Sequence, residues 1–352
     1  MTHPLLTKLK IACKRILGRC VYNWVYFKKQ TQKILDMPKD ELFSKKTRNN
    51  LITFTLKRWK SFLLIFVCIL GAYYGIGAFV SSHIDNRLNL EVKNLKPQTQ
   101  VISAVEFVLK KQIDNTPWTP ALPAVFPAAV LDNLPNFQLG TKDAISYFLK
   151  HYTHLTPDPH LQQAKELLDY PADIWLFSQT KNDTFAPGSA KQYRKAITAI
   201  ETYIKNISPK QNITAPTLDE LLKLIDTLLD KQISKINNYT REHPSEFLDF
   251  KADDLFYKTQ GIAYATHYIL TGISKDYQNQ IVAAEQYENI TSALKSLADA
   301  VKLNPLFIKS SSANDSHGAN HLIYLAYYLS QTRVYLKDIY YAVKQPKGEV
   351  AQ

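Results

Sequence analysis

Cysteine and methionine are scarce in this chain of 352 residues, and all three cysteines precede residue 69. Cys13 and Cys20 lie in a lysine-rich N-terminal stretch, whereas Cys68 lies in an apolar run. The long segment 82–352 contains no cysteine, so disulfides do not stabilise it, and it is large enough to bury a core without them. Two cysteines in the arm also fall short of a structural metal site, which needs four ligands.

The short motifs that mark many enzyme active sites are also missing. The sequence has no nucleophile elbow, no glycine-rich phosphate loop and no zinc-ribbon spacing. We therefore expect no cofactor and no bound metal, and a catalytic function is the less favoured interpretation.

Acidic residues are sparse at the N-terminus, where the net charge of the chain is concentrated. Residues 1–60 hold fifteen Lys or Arg and three acids, and this excess of twelve equals the net charge of the whole chain. The remainder is balanced, which argues against a nucleic-acid partner.

Apolar residues recur at helical spacing among the basic residues of this arm. The pattern predicts an amphipathic helix on the lipids of the inner leaflet, with a cytoplasmic protein partner as the alternative. The apolar positions are Leu5, Leu6, Leu9, Ile16, Leu17, Val21, Trp24 and Val25, and the interleaved basic ones are Lys8, Lys14, Arg15 and Arg19.

Phe62–Val80 is a run of nineteen residues without a charge, and eleven of them are Leu, Ile, Phe or Val. At about 1.5 Å per residue, such a helix reaches about 28 Å, close to the hydrocarbon core of a bilayer. We predict one transmembrane helix over 61–81, an uncleaved signal anchor. Positive charge precedes the span and mixed charge follows it, so we expect the arm in the cytoplasm and residues 82–352 outside. Gly71 and Gly75 would let a second span approach closely.

Residues 82–352 carry helical patterns almost throughout, and the predicted fold is an all-α bundle. Five prolines between 116 and 135 break the pattern, and a linker at 207–216 marks a possible internal division. Thr217 and Glu220 form a capping box. The predicted helices cover about 98–113, 141–154, from Asp158, 189–206, from Thr217, 252–271, 279–303 and 320–343.

Three polar clusters are candidates for chemistry or for structure. The first is a predicted rigid corner, the second pairs two carboxylates near a helix start, and the third heads the last helix. Close carboxylates can share a proton, and two histidines at this spacing can bind a metal, although no Glu lies between them as in zinc proteases. The clusters are Asp132, Asn133 and Asn136; Asp253, Asp254 and Tyr257; and Asn320 and His321 with His317.

Gly261 and the tyrosines of the last helix are further features. We expect Gly261 to permit close approach of another backbone. Six of the 21 tyrosines fall on the last helix, at 324, 327, 328, 335, 340 and 341. They predict ordinary packing, with an aromatic partner surface as the alternative.

Four stretches of the outer segment resemble an uncharacterised family of proteobacterial single-span inner-membrane proteins, known only as a domain of unknown function. They are VLDNLPNFQLG (130–140), GSAKQYRKAITAIETYI (188–204), DDLFYKTQGIAYA (253–265) and ANHLIYLAYYLSQTRVYLKDI (319–339). The resemblance implies a protein of a Gram-negative envelope with a periplasmic domain, and it brings no activity or catalytic residue.

Three functions fit these patterns. The favoured one is a membrane-anchored helical scaffold of the envelope, accessory to an envelope or secretion complex, with a membrane or periplasmic protein partner or a homodimer. The alternative is a ligand-binding or sensing domain. A periplasmic hydrolase using Asp253, Asp254 and His321 is the third, and it requires these residues to meet in one pocket.

Overall fold

The computed structural model divides the chain into two compact units, residues 1–77 and 78–352. The described residues are 63–77, 83–88, 99–123, 125–129, 132–179, 185–207, 215–243, 249–305, 308 and 320–344, with scattered positions before 63. Most of the predicted arm helix lies outside them, and of its apolar positions Val21 and Val25 are helical and exposed.

In the first unit, residues 63–77 form an uncharged helix. The ends of the predicted span, 61–62 and 78–81, lie outside the described residues. Within the part of the chain that the structure describes, no helix combines the length and the apolar character needed to cross a membrane. The span therefore stays a prediction. A side chain at Gly71 or Gly75 would meet nothing within 4 Å in the single chain.

The second unit is an all-α bundle, as the sequence predicts, with one small hairpin. Its α-helices are α1 Gln100–Lys110, α2 Asn133–Leu155, α3 Pro159–Leu168, α4 Ser189–Asn206, α5 Leu218–Glu242, α6 Phe250–Asp276, α7 Gln278–Ala283, α8 Tyr287–Lys302 and α9 His321–Lys344. A π-helical turn, Lys111–Asn115, follows α1, and 3-10 turns occupy Thr119–Ala121 and Pro127–Ala129. Strands β1, Phe177–Gln179, and β2, Phe185–Pro187, pair antiparallel.

Helix α6 lies at the centre of this unit, because α1, α2, α5, α8 and α9 all contact it. A helix that is buried on all sides shows no single apolar stripe, so its sequence pattern is weak. Some polar side chains on α6 bond to the surrounding segments. Gln260 donates from Nε2 to the carbonyl oxygens of Val301 and Leu303, at 2.9 and 2.7 Å, at the end of α8.

Two glycines allow α2 and α6 to cross with their backbones in contact. A Cβ on Gly140 would lie 1.9 Å from the carbonyl oxygen of Lys258, and one on Gly261 would lie 2.0 Å from that of Phe137. The prediction that Gly261 permits close backbone approach is confirmed.

The helix starts follow the capping rules at most positions. Asp158 accepts from the backbone amides of His160 and Leu161, and Thr217 and Glu220 form the predicted capping box. The predicted helix 279–303 is wrong in one respect, since it is two helices. Glu285 between them has a φ of 57°, a left-handed conformation that interrupts the helix.

The predicted rigid corner at 132–140 is also wrong. Helix α2 already begins at Asn133, and Asp132 directly precedes it. Pro135 falls in the first turn, where backbone amides have no partner inside the helix, so proline is tolerated there. The division predicted near 207–216 stays a prediction, since residues 208–214 lie outside the described part of the chain.

Candidate functional site

Two of the three predicted polar clusters meet, one at the start of α2 and the other at the start of α6. Asn136 donates from Nδ2 to Oδ1 of Asp254 at 2.6 Å. The carboxyl groups of Asp132 and Asp254 share a hydrogen bond, and Tyr257 and Asn133 share another. Each cluster lies one to two turns before Gly140 or Gly261, and the close crossing at these glycines brings the clusters together.

The side chain of Asp132 belongs to this cluster and does not cap its own helix, α2. Its side chain accepts no hydrogen bond from the first turn of α2. Asp249 instead caps α6, accepting from the amides of Lys251 and Ala252 at 3.1 Å each, and Tyr239 also donates to it. Asp253 and Asp254 are therefore not needed as caps, and Asp254 instead accepts a hydrogen bond from Asn136 of α2.

Burial and mutual repulsion perturb the acids of this site. Burial, together with the charges of Asp132 and Asp254, raises the pKa of Asp253 to about 6. Burial and Asp132 also raise the pKa of Asp254, although its bond to Asn136 opposes the shift. Burial and the charge of Asp253 raise the pKa of Tyr257 to about 12. A carboxyl with a pKa near 6 can hold or release a proton near neutral pH.

The third cluster stays apart in its interactions. Asn320 accepts from the amide of Ile323 at 3.1 Å and so stabilises the start of α9. The Nδ1 atom of His321 is buried and has no hydrogen-bond partner among the described residues. Burial alone lowers the pKa of His321, whereas a neighbouring carboxylate would raise it. His317 lies outside the described residues.

The described residues include no metal centre at this site, and its side chains do not line the neighbouring groove. Among the described residues, no three His, Cys, Asp or Glu side chains are placed to hold a metal ion. A groove of about 400 Å³ lies between α2, α5 and α6, and its walls include Tyr147, Lys231 and Lys258. Residues of the three clusters do not line it.

Sequence reasoning missed a second polar assembly, which we call the strap seat: segment 83–88 with Lys111, Tyr264, Tyr268 and the carbonyl of Val301. The Nζ atom of Lys111 lies 2.9 Å from the hydroxyl of Tyr264 and 3.3 Å from Oδ1 of Asp85. Asn86 donates to the carbonyl oxygen of Val301 at 2.8 Å. Tyr268 donates to the carbonyl oxygen of Arg87 at 3.0 Å.

Lys111 is the unusual member of the strap seat, because its side chain is only 4% exposed. Burial lowers its pKa, and the negative charge of Asp85 opposes this shift. The bond to Arg87 and the charge of Lys111 hold the pKa of Asp85 well below its usual range. The sequence signal is slight, because Lys111 is the second of two lysines that follow an apolar helical stripe. Its burial depends on the π-helical turn that begins there.

The chain matches no protein-family model, no curated protein and no solved structure. The resemblance to the single-span family therefore stays a prediction.

Proposed function

We propose that this chain is a membrane-anchored helical scaffold of the bacterial inner membrane. Residues 1–60 are its cytoplasmic arm, 61–81 its span, and 82–352 its periplasmic platform for a protein partner. The charge asymmetry around the apolar run supports this topology.

The strap seat is the observation that carries the proposal. A tether between a span and a domain can be any flexible linker, and it has no need of long-range contacts. Residues 83–88 instead bond to a π-helical turn, to α6 and to the end of α8. Such fastening fixes the point at which the chain leaves the bundle, a property useful to a platform that presents one face.

Topology is tested by reporters fused after Gln352. Alkaline phosphatase should be active there, and a fluorescent protein that folds only in the cytoplasm should be dark. Fusions after Lys60 are the control and should give the opposite results. A bright fluorescent fusion at Gln352 with inactive phosphatase would reverse the proposed orientation.

The partner is tested by cross-linking the intact chain in membranes and recovering it through a tag. We expect a defined envelope protein to be recovered with the intact chain. The recovered amount should fall with Asp85→Asn, because this variant loosens the strap, segment 83–88, from its seat. Lys195→Gln, a charge change at an exposed position of α4 outside the seat, is the control. Recovery of the chain alone under several detergent conditions would contradict the scaffold proposal.

A sensing or ligand-binding function is the second candidate, and the carboxyl cluster favours it. Burial and the charges of Asp132 and Asp254 raise the pKa of Asp253 to about 6, so this cluster can gain or lose a proton near neutral pH. The hydrolase alternative has less support, because Asp253 and Asp254 have no described hydrogen bond or ion pair with His321. Asp253→Asn should abolish a sensing response in cells while His321→Ala leaves it intact, whereas a hydrolase would lose activity with both.

A further inference from the structure

Two loops of the bundle meet and expose apolar side chains to solvent. Phe126, beside a 3-10 turn, packs edge to face on Trp175, with ring centroids 5.3 Å apart. Trp175 is nevertheless 44% exposed, and Leu176 and Val125, next to these rings in sequence, are 58% and 61% exposed. We call this set the apolar tip: Val125, Phe126, Trp175 and Leu176. Neighbouring apolar side chains of this size at a surface are typical of an interaction site.

The loop that carries Trp175 is held in place by polar contacts. Ser189, at the start of α4, donates from Oγ to the carbonyl oxygen of Pro171 at 2.7 Å and accepts from the amide of Ile174 at 3.0 Å. A Cβ on Gly188 would lie 2.2 Å from the carbonyl oxygen of Trp175, so the two backbones are in close contact. The loop therefore presents its apolar side chains from a fixed backbone.

The apolar tip lies beyond the end of α1. Lys110, the last residue of α1, pairs with Glu201 at 2.7 Å. Asp114, one turn later, pairs with Arg194, which lies earlier in α4, at 2.8 Å. Helix α4 is therefore antiparallel to α1, and its first turn, which holds the tip loop through Ser189, lies past the π-helical turn that follows α1.

Helix α6 begins toward this same end of the bundle. The amide of Val101, at the start of α1, bonds to Asp276 at the end of α6, at 3.0 Å. At the other end of α1, the Nζ atom of Lys111 bonds to Tyr264, nearer the start of α6, at 2.9 Å. The two helices are antiparallel, so the end of α1 and the apolar tip lie toward the start of α6.

The strap, followed toward the N-terminus, leads to this end as well. The carbonyl oxygen of Arg87 accepts from Tyr268. Asp85 instead meets Lys111, which bonds to α6 one turn nearer its start. In the proposed topology the span ends at residue 81, so at most about 7 Å of chain separates it from His83. The bilayer and the apolar tip are then expected at the same end of the bundle.

The side chains of the apolar tip suit a lipid surface. Tryptophan is enriched at membrane interfaces, where its ring is apolar and its N–H stays in contact with water, and leucine adds apolar area. Two exposed charged residues flank the tip loop, Asp173 within it and Lys191 in the first turn of α4. They balance each other, so no net negative charge opposes the approach to lipid phosphates.

The exposed area of the apolar tip favours a lipid surface over a protein. Its side chains expose roughly 300 Å², whereas a stable protein interface buries about 1,200 Å² or more in total. A tethered domain needs much less area, because the anchor keeps the bilayer at a high effective concentration beside the tip.

We propose that the apolar tip inserts into the periplasmic face of the membrane that anchors this chain, with Trp175 and Leu176 at the level of the lipid headgroups. The inference rests on the proposed membrane anchor. It goes beyond that proposal because it assigns the end of the bundle that contacts lipid.

Fluorescence quenching in vesicles tests the insertion. The native cysteines, at 13, 20 and 68, are replaced by serine, and Leu176→Cys is labelled with a fluorescent dye. The full chain is reconstituted in vesicles of phosphatidylethanolamine and phosphatidylglycerol, with or without bromine on the acyl chains. Brominated lipid should quench the dye at position 176 about fivefold or more as strongly as a dye at Val282→Cys, since only the tip enters the interface.

Val282 is the matched control, an apolar residue that is 53% exposed on α7, after the far end of α6. Flotation of the vesicles in high salt shows separately whether the chain is anchored. Equal quenching of the two dyes in chains that float would overturn the insertion and leave the anchor intact. A chain that does not float would disprove the anchor, and the inference would fall with it.

A charge placed in the apolar tip gives a second test. Trp175→Glu should reduce the quenching of the dye at Leu176→Cys about threefold or more, because a carboxylate disfavours entry into the interface. Tyr287→Glu, the same change at an aromatic residue of α8 that is 62% exposed, should leave the quenching unchanged. Circular dichroism checks that both variants are folded. Unchanged quenching in a folded Trp175→Glu chain would overturn the proposal.

Discussion

Replacing Gly261 by alanine disrupts the close crossing of α2 and α6. The fold of the second unit and its carboxyl cluster both depend on this contact. The added Cβ would lie 2.0 Å from the carbonyl oxygen of Phe137 and 2.9 Å from the amide nitrogen of Thr141. Both obstacles are backbone atoms of α2. A rotamer change therefore does not relieve them, and the two helices must separate.

The expected loss of stability follows from two opposing effects. Ordinary van der Waals contact begins near 3.4 Å. The helices must therefore move apart by about 1 Å or more, which opens voids along a buried crossing. An overpacked core usually lowers the free energy of unfolding by about 1–3 kcal/mol. The loss is larger where the backbone itself must move, so we expect about 3–5 kcal/mol for this crossing. Alanine regains about 1 kcal/mol as the better helix former. The net loss is about 2–4 kcal/mol.

Gly140→Ala should behave alike, since its Cβ would meet the carbonyl oxygen of Lys258 at 1.9 Å. The same separation of α2 from α6 relieves both clashes. The double variant should therefore be only slightly less stable than the worse single variant, rather than showing the sum of both losses.

The assay is denaturation of the full chain in detergent micelles, followed by circular dichroism. For a domain of this size, the net loss corresponds to a fall in melting temperature of about 5–15 °C. Ser234→Ala, an exposed helical substitution, is the control and should change little. A Gly261→Ala chain as stable as this control, or strictly additive losses in the double variant, would refute the reasoning.

Three further predictions concern the carboxyl cluster, the apolar helix and the strap seat. The pKa of Asp253 is raised to about 6 in the folded chain, so its contribution to stability is complete below about pH 4 and is lost as pH rises through 6. Asp253→Asn should raise the free energy of unfolding by about 1 kcal/mol at pH 8, after solvent screening, and leave it unchanged at pH 4. Melting temperatures at the two pH values measure this difference, and an equal effect at both would contradict the assignment. Gly71→Ile and Gly75→Ile should weaken self-association of the apolar helix in a membrane two-hybrid assay, and an unchanged signal would exclude these glycines as a contact. Asp85→Asn should destabilise the full chain by about 1–3 kcal/mol, because it leaves Lys111 buried beside Tyr264 without a counter-charge, and Lys111→Met should cost less. The opposite order in urea denaturation would show that the charge pair is not what holds the strap.

Local signals predicted much of the fold because they involve residues close in sequence. Asp158 followed by proline, and Thr217 with Glu220, each satisfy amides within one turn, so the helix starts at those places follow from the sequence. Helix α5 has a wide apolar stripe because it is buried on one side only. The β1–β2 hairpin lacks such a signal, since three-residue strands are too short for an alternation to be recognised.

The start of α2 was mispredicted because its proline signal has two meanings. Proline breaks a helix in its interior but is tolerated in the first turn, and the sequence around Pro135 does not distinguish these cases. The sequence shows the polar residues of the two clusters, but it does not predict that the clusters contact each other. It depends on Gly140 and Gly261 lying on facing sides of two helices more than a hundred residues apart in sequence, which only the packing determines.

The strap seat likewise depends on packing between residues that are far apart in sequence. It explains why a lysine is buried in this bundle. An unpaired ammonium at Lys111 would be costly in the interior, whereas here it donates to Tyr264 and meets Asp85. The cation is thus satisfied only when segment 83–88 is in place. A leucine at position 111 would avoid the cost of burying a charge, but it would leave Asp85 without this partner and would not distinguish a seated strap from a released one. The buried charge therefore makes the seating of this segment specific, at a cost that the hydrogen bonds of Asn86 and Tyr268 help to offset.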